Sequence, residues 1–190
     1  MKKESIRRSI IKIRNSLSTE TIVESQNKIF SCWKTKRDSM NIEKVGFYWP
    51  TKNEISPLLI IQELLFKKVE CYLPVISQDI SSKIMSFRQY KDSSQMKLNR
   101  YKIQEPSEGT EILANELDVV FVPLVAFDSK GYRIGMGGGF YDATFKTESE
   151  KKQSKLLGLA YEFQEVDSCF PEAHDLKLDG IICPNNFLLF

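Results

Sequence analysis

Apolar residues recur at two periods along the chain, and the switching between them predicts the order of elements. From Lys2 to Leu17, Ile6, Ile10, Ile13 and Leu17 fall at helical spacing, which predicts an amphipathic first helix. Ser18 is a suitable N-cap for a second helix, whose core-facing stripe is Ile22, Val23, Gln26, Ile29, Phe30 and Trp33. Thr35 to Asn41 reads as a polar connection, and Val45 to Trp49 as a buried strand ended by Pro50-Thr51-Lys52-Asn53. Ser56-Pro57 then opens a helix in the preferred N-cap and N1 arrangement, carrying Leu58 to Ile61, Leu64, Leu65 and Phe66. Short strands are expected at Glu70 to Val75 and Ile84 to Phe87, followed by a polar stretch from Lys91 to Arg100. Val119 to Val125 is apolar and mostly β-branched, as in a strand buried on both faces, with Pro123 ending its regular pairing. Thr144 to Gln153 predicts an exposed helix, Lys155 to Tyr161 a buried strand and Asp179 to Cys183 a last short strand. This alternation predicts an α/β fold, a three-layer sandwich around a mostly parallel sheet, as one domain over residues 1–190.

Composition narrows the function classes. With 42 % apolar and 27 % charged residues the chain falls in the ordinary globular range. A formal charge of +2 is too small for a nucleic-acid binder. No apolar run approaches the roughly 18 residues of a membrane span. Cys32, Cys71, Cys169 and Cys183 lie far apart without a Cys-x-x-Cys pair, as expected of reduced thiols in a cytoplasmic protein. Six of the first fourteen residues are basic, which has the flavour of a transit peptide, but the pattern runs into the next helix without a spacer. Lys3 and Arg7 share one face of that helix, where like charges repel.

The candidate chemistry centres on Gly131-Tyr132-Arg133-Ile134-Gly135-Met136-Gly137-Gly138-Gly139-Phe140-Tyr141-Asp142. Glycines leave backbone N–H groups uncovered, which suits an anion that must approach the main chain, and a helix starting near Phe140 would point its positive end at the same anion. No Gly-Lys-Ser/Thr follows, so this is not a P-loop. Phe140 occupies the place of the last glycine of Gly-x-Gly-x-x-Gly. Arg133 before the glycines supplies a cation for phosphate, and Asp142 after them a hard oxygen ligand for Mg²⁺. Glu54 follows a strand in the loop leading to a helix, where open α/β sheets place ligands.

The glycine segment, preceded by Val122-Pro123 and Ala126-Phe127-Asp128, resembles the signature of the 5-formyltetrahydrofolate cyclo-ligase family, and the resemblance extends over essentially the whole chain. Lys3-Glu4-Ser5-Ile6-Arg7 resembles that family's opening Lys-x-x-Leu-Arg, Tyr101 to Pro106 its Gly-Ile-x-Glu-Pro, and Phe170 to Asp175 its Pro-x-Glu-x-His-Asp. The resemblance implies an α/β fold and ATP-dependent cyclisation of a reduced folate, with Mg²⁺ as the cofactor. It implies ATP contacts at Lys3, Arg7, Arg133, Ile134, Gly135, Met136, Gly137, Gly138, Gly139, Phe140 and Tyr141, with Arg133 as the catalytic cation. Folate contacts are implied at Tyr48, Glu54 and the shared wall from Met136 to Phe140, and metal ligands at Asp142 and Asp175. Tyr101 becomes a candidate to stack on the pterin ring.

His174, the only histidine, has no nucleophile or partner in view, so an orienting role is expected rather than that of a base. Lys102, Leu124, Met136, Ala143 and Cys183 depart from the family's usual residues. A paralogue phosphorylating another amide, and a nucleotide-binding module without catalysis, are the rival readings. Glu54 argues against the first, and the joint presence of Asp142 and Asp175 against the second. A monomer is expected, with ATP and a reduced folate as partners, and neither nucleic acid nor membrane.

Overall fold

A computed structural model describes residues 2–37, 40–146 and 154–190. Its centre is the apolar run after Asp118, which forms β7 (Val119–Val122), buried at every position. Alternate side chains point to opposite faces. Val119 and Phe121 join one core cluster and Val120 and Val122 another. Parallel neighbours flank β7: β1 (Lys44–Gly46) on one side and β10 (Lys155–Leu159) on the other. Beyond them lie β2 (Glu70–Ile76) and β11 (Gly180–Cys183), also parallel. The flanks turn antiparallel, with β3 (Met85–Tyr90) and β6 (Glu111–Ile112) outside β2, and β12 (Asn186–Leu189) outside β11. The order is therefore β12-β11-β10-β7-β1-β2-β3-β6. The expected sandwich around a mostly parallel sheet is present, with antiparallel edges. Pro123 ends the β7 ladder as expected, and Pro74 sits in β2 beyond the last residue of β1, where no parallel partner needs its missing N–H.

Helices cover one face. Ile29 and Trp33 of α2 (Thr19–Arg37), with Ile60, Ile61 and Leu64 of α3 (Leu58–Phe66), pack on Val45, Phe47, Leu73, Val119, Phe121 and Leu157. Phe121 stacks on Phe47 at 5.0 Å and meets Trp33 edge-on at 5.2 Å. Ser18 Oγ accepts the Thr21 N–H at 3.1 Å, the predicted cap. The other face is closed by α4 (Phe140–Lys146), with Tyr141 and Phe145 against the cluster of Tyr72, Phe87, Val120 and Ile181. Thr144 Oγ1 locks α4 to β3 by accepting the Met85 N–H at 3.0 Å.

Several expectations are corrected. Helix α1 (Lys2–Asn15) turns Lys3, Ile6, Arg7, Ile10 and Arg14 inward and leaves Ile13 exposed, so its inner face is half basic. Helix α2 runs on through Thr35 to Arg37, where Arg37 pairs with Glu63 of α3, and Val23 of the expected stripe is exposed. Phe66 is 89 % exposed at the end of α3. The stretch from Lys91 to Pro106 holds a hairpin of β4 (Met96–Leu98) and β5 (Gln104–Pro106), and a second hairpin pairs β8 (Ala126–Phe127) with β9 (Arg133–Ile134). The expected helix from Thr144 to Gln153 is described only to Lys146, and residues 147–153 lie outside the described residues.

Among the central parallel strands, chain order reverses between β1 and β7, and loops leaving their carboxyl ends face each other across that switch point. The β1 loop carries Tyr48 to Glu54. The β7 end leads through the β8–β9 hairpin to the glycines.

Candidate functional site

Helix α1 brings its basic face to this end of the sheet, seated by Ile6 and Ile10 against Val125, Ala126 and Ile134. Arg7 Nε donates to the Gly135 carbonyl at 2.8 Å, so the helix grips the glycine loop directly. Lys3 Nζ reaches Asp175 Oδ2 at 2.5 Å and Glu172 Oε1 at 3.1 Å. The repulsion expected between Lys3 and Arg7 is thus relieved by separate partners, with Glu4 taking Arg7 Nη1 at 2.5 Å.

The glycine loop leaves β9 at Arg133, which is buried. Its Nη2 donates to Asp142 Oδ1 at 3.2 Å, its guanidinium lies 5.8 Å from the Tyr141 ring centre, and its Nε meets no acceptor among the described residues. A Cβ at Gly135 would lie 2.8 Å from Arg133 Nη1, so the missing side chain makes room for the guanidinium. Gly137 and Gly139 take φ of 94° and 73°, in the left-handed region that side chains disfavour. Met136, Gly137 and Gly138 are exposed, and α4 starts at Phe140 as predicted. The Phe140 ring meets Tyr101 edge-on at 5.5 Å, and Lys83 Nζ would lie 3.5 Å from a Cβ at Gly139.

Asp142 and Asp175 come together through one hydrogen bond: Asp142 Oδ1 accepts the N–H of Leu176, the next residue after Asp175, at 3.0 Å. Burial pushes the Asp175 carboxyl up, but hydrogen bonds from Lys3 and the Glu172 N–H, with the charges of Lys3 and His174, outweigh it and hold the group below its usual range. The exposed His174 ring lies 3.8 Å from Asp175 Oδ1 and 4.0 Å from Glu172 Oε2, flanking the carboxylates, where an orienting part is open to it. Among the described residues no group of three or more His, Cys, Asp or Glu is placed to hold a metal ion.

Glu54 lies across the cleft, buried in the β1 loop. Its Oε2 accepts the Thr51 N–H at 2.9 Å and the Thr51 hydroxyl at 3.1 Å, and its Oε1 faces Arg14 Nη1 at 3.7 Å. Burial pushes the Glu54 carboxyl up, partly offset by the Thr51 N–H, the Arg14 charge and the Thr51 hydroxyl. Tyr48 is fully packed and its hydroxyl donates to the Ile55 carbonyl, so it braces the loop. Burial also pushes the Tyr48 and Tyr141 phenols well up, leaving both neutral.

A sequence profile of the 5-formyltetrahydrofolate cyclo-ligase family matches residues 1–184. The chain belongs to that family. It is 33 % identical over 183 residues to the 5-formyltetrahydrofolate cyclo-ligase of Haemophilus influenzae, covering 95 % of this chain and 97 % of that one. The Escherichia coli K12 enzyme of the same name is 35 % identical over 143 residues, covering 74 % and 78 %. The NMR structure of Aquifex aeolicus 5,10-methenyltetrahydrofolate synthetase superposes with a TM-score of 0.84 at 28 % identity, covering all of this chain and 93 % of that one.

Departures of this cyclo-ligase family member find local accommodation. Lys102 keeps a glycine-like φ of 60°, and Leu124 fills the space over Gly158, where a Cβ would lie 2.6 Å from Leu124 Cδ2. Asp128 of the signature accepts N–H groups of Lys130, Tyr132 and Cys169, tying the β8–β9 turn to the segment leading to Asp175. Arg14 is a residue the sequence pattern left out, and its signal lay in the spacing Lys3, Arg7, Ile10, Arg14, which puts it on the inward face.

Proposed function

We propose that this chain is an ATP- and Mg²⁺-dependent ligase that converts 5-formyltetrahydrofolate to 5,10-methenyltetrahydrofolate, releasing ADP and phosphate. The observation that carries this reading is the convergence of Arg7, Arg133 and the exposed glycines with Asp142, whose carboxylate is bonded to the backbone next to Asp175. Arg133 has a buried Nε without an acceptor among the described residues, which fits a phosphate oxygen. Asp142 and Asp175 fit Mg²⁺, a hard cation that keeps waters and binds phosphate oxygens alongside one or two carboxylates. Bound there, the ion would offset the negative charge of the triphosphate.

In the proposed reaction the formyl oxygen of the folate attacks the γ-phosphorus and the bond to ADP breaks. N10 of the same folate then attacks the activated carbon, gives up its proton, and the oxygen leaves within inorganic phosphate. The chain's part is positioning and charge neutralisation. The backbone from Ile134 to Tyr141 and Arg133 cradle the triphosphate, Lys3 and Arg7 support it from α1, and Glu54 orients the folate against Met136 to Phe140. Four free thiols support a reducing, cytoplasmic setting.

Mixing the protein with Mg-ATP and 5-formyltetrahydrofolate should give an ATP-dependent rise in the near-ultraviolet absorbance of methenyltetrahydrofolate. Asp142→Ala should abolish that rise while unfolding stays cooperative, and full activity in this variant would sink the metal assignment. A wild-type protein that binds ATP without the rise would redirect the search to other amides.

A further inference from the structure

Arg14 has no part in the reaction as drawn, yet only 1 % of it meets solvent. A buried guanidinium is costly unless an anion answers it. Here Glu54 answers it, with Oε1 at 3.7 Å from Nη1, while Nε and Nη1 meet no hydrogen-bond acceptor among the described residues. The pairing divides the carboxylate: Oε2 belongs to Thr51, and Oε1 faces Arg14. Arg14 also holds the loop by its backbone, since its carbonyl accepts from Asn53 Nδ2 at 3.4 Å. Asn53 and Lys52 adopt φ of 60° and 45°, a conformation that needs outside support, and the Tyr161 hydroxyl adds a bond to the Asn53 carbonyl at 3.1 Å.

The titratable groups around Glu54 come from four places. Arg14 comes from α1, Tyr48 from the end of β1, Tyr141 from α4 and Tyr161 from the end of β10, with Arg133 on the far side of the Tyr141 ring. Burial pushes all three phenols up, so they stay neutral and add no negative charge beside the carboxylate. Arg14 is the cation that directly faces the carboxylate.

We propose that Arg14 is a positioning residue for the folate half of the reaction, fixing the Glu54 carboxylate and its loop beside the cleft from the same helix face whose Lys3 and Arg7 serve the nucleotide. The inference rests on reading Glu54 as a folate contact. It separates two duties along one helix, so substrate affinities should respond separately to substitutions at its two ends.

The test is steady-state kinetics of Arg14→Met and Arg14→Lys as a function of pH, with 5-formyltetrahydrofolate and Mg-ATP varied in turn. Arg14→Met should raise the folate KM about tenfold or more while the ATP KM stays within about twofold. The acid limb of kcat/KM for folate should move to higher pH, because a carboxylate without its cation protonates sooner. Arg14→Lys, which keeps the charge, should bring the limb back towards wild type. Arg14→Met added to Glu54→Gln should cost little beyond Glu54→Gln alone. A uniform loss in both KM values with an unmoved pH profile would overturn the proposal, as would a lysine variant no better than methionine.

Carboxyl-¹³C NMR titration of Glu54 without substrate provides a readout independent of turnover. If wild type does not convert 5-formyltetrahydrofolate, the functional reading fails, and the titration then decides on Arg14 alone. A Glu54 titration displaced to higher pH in Arg14→Met supports the pairing, and an unchanged one overturns it. Should Arg14→Met fail to fold, Arg14→Gln, which removes the charge but keeps a polar side chain, carries the test, and a wild-type folate KM and Glu54 titration in that variant would overturn the proposal.

Discussion

At Asp175 two opposing effects meet. Burial favours the neutral acid, while Lys3, the Glu172 N–H and the His174 charge favour the carboxylate and win, so the group titrates below its ordinary value of 3.8. The folded protein therefore binds this proton less readily than the unfolded chain, and the stabilisation is intact above about pH 4 and lost as pH falls through the lowered folded value. For Lys3, burial lowers the value but the bonds and charges of Asp175 and Glu172 raise it above its ordinary 10.5. Its share is present below that ordinary value and lost only as pH rises through the folded one. Urea midpoints of wild type and Asp175→Asn should differ at neutral pH, and the gap should close towards strong acid. A gap that persists there would remove the carboxylate from the account. Single residues such as Lys3, Arg7 and Asp142 were legible because each sits in a contiguous motif. Arg14 was not, because a buried arginine scores as polar, and its partner Glu54 lies forty residues on.

Elements were legible in proportion to the side chains that define them. The continuous apolar runs of β7 and β10 fix buried strands on their own, and Ser18 fixed the start of α2 by its hydroxyl. The hairpins β4–β5 and β8–β9 escaped because strands of two or three residues show no period. Helix α1 was found, but its inward face was drawn through Ile13, whereas the interior offers Glu54, Asp175 and the Gly135 carbonyl as partners for cations. The turn between β4 and β5 carries a local strain. Lys102 takes the left-handed position that hairpin loops of this length give to glycine, while Asn99 Oδ1 accepts the N–H groups of Tyr101 and Ile103. Lys102→Gly should therefore stabilise the fold by about 1 kcal/mol. Chemical denaturation would measure it, and a destabilised variant would mean that the lysine side chain is itself held.

Across the whole molecule, the reversal of strand order between β1 and β7 sets the cleft, and α1 closes over it from outside the sheet. Apart from Ile6 and Ile10, that closure rests mainly on charged contacts to residues 135, 172, 175 and 54. Ligands that bind the same cations should hold the helix down. Adding Mg-ATP should slow hydrogen exchange at Arg7 to Ile11 while amides of α2 keep their rates, and unchanged exchange in α1 would mean that the nucleotide does not engage it. The charged contacts along α1 also differ in how far they are open to the surroundings. Lys3 and Glu172 sit in contact with solvent, whereas Arg14 and Glu54 are walled in by three tyrosines. Dissolved salt weakens solvent-exposed ion pairs and acts much less on enclosed ones. Rising salt should therefore peel this helix from its amino end, and if Lys3 contacts the nucleotide as proposed, ATP binding should weaken before folate binding.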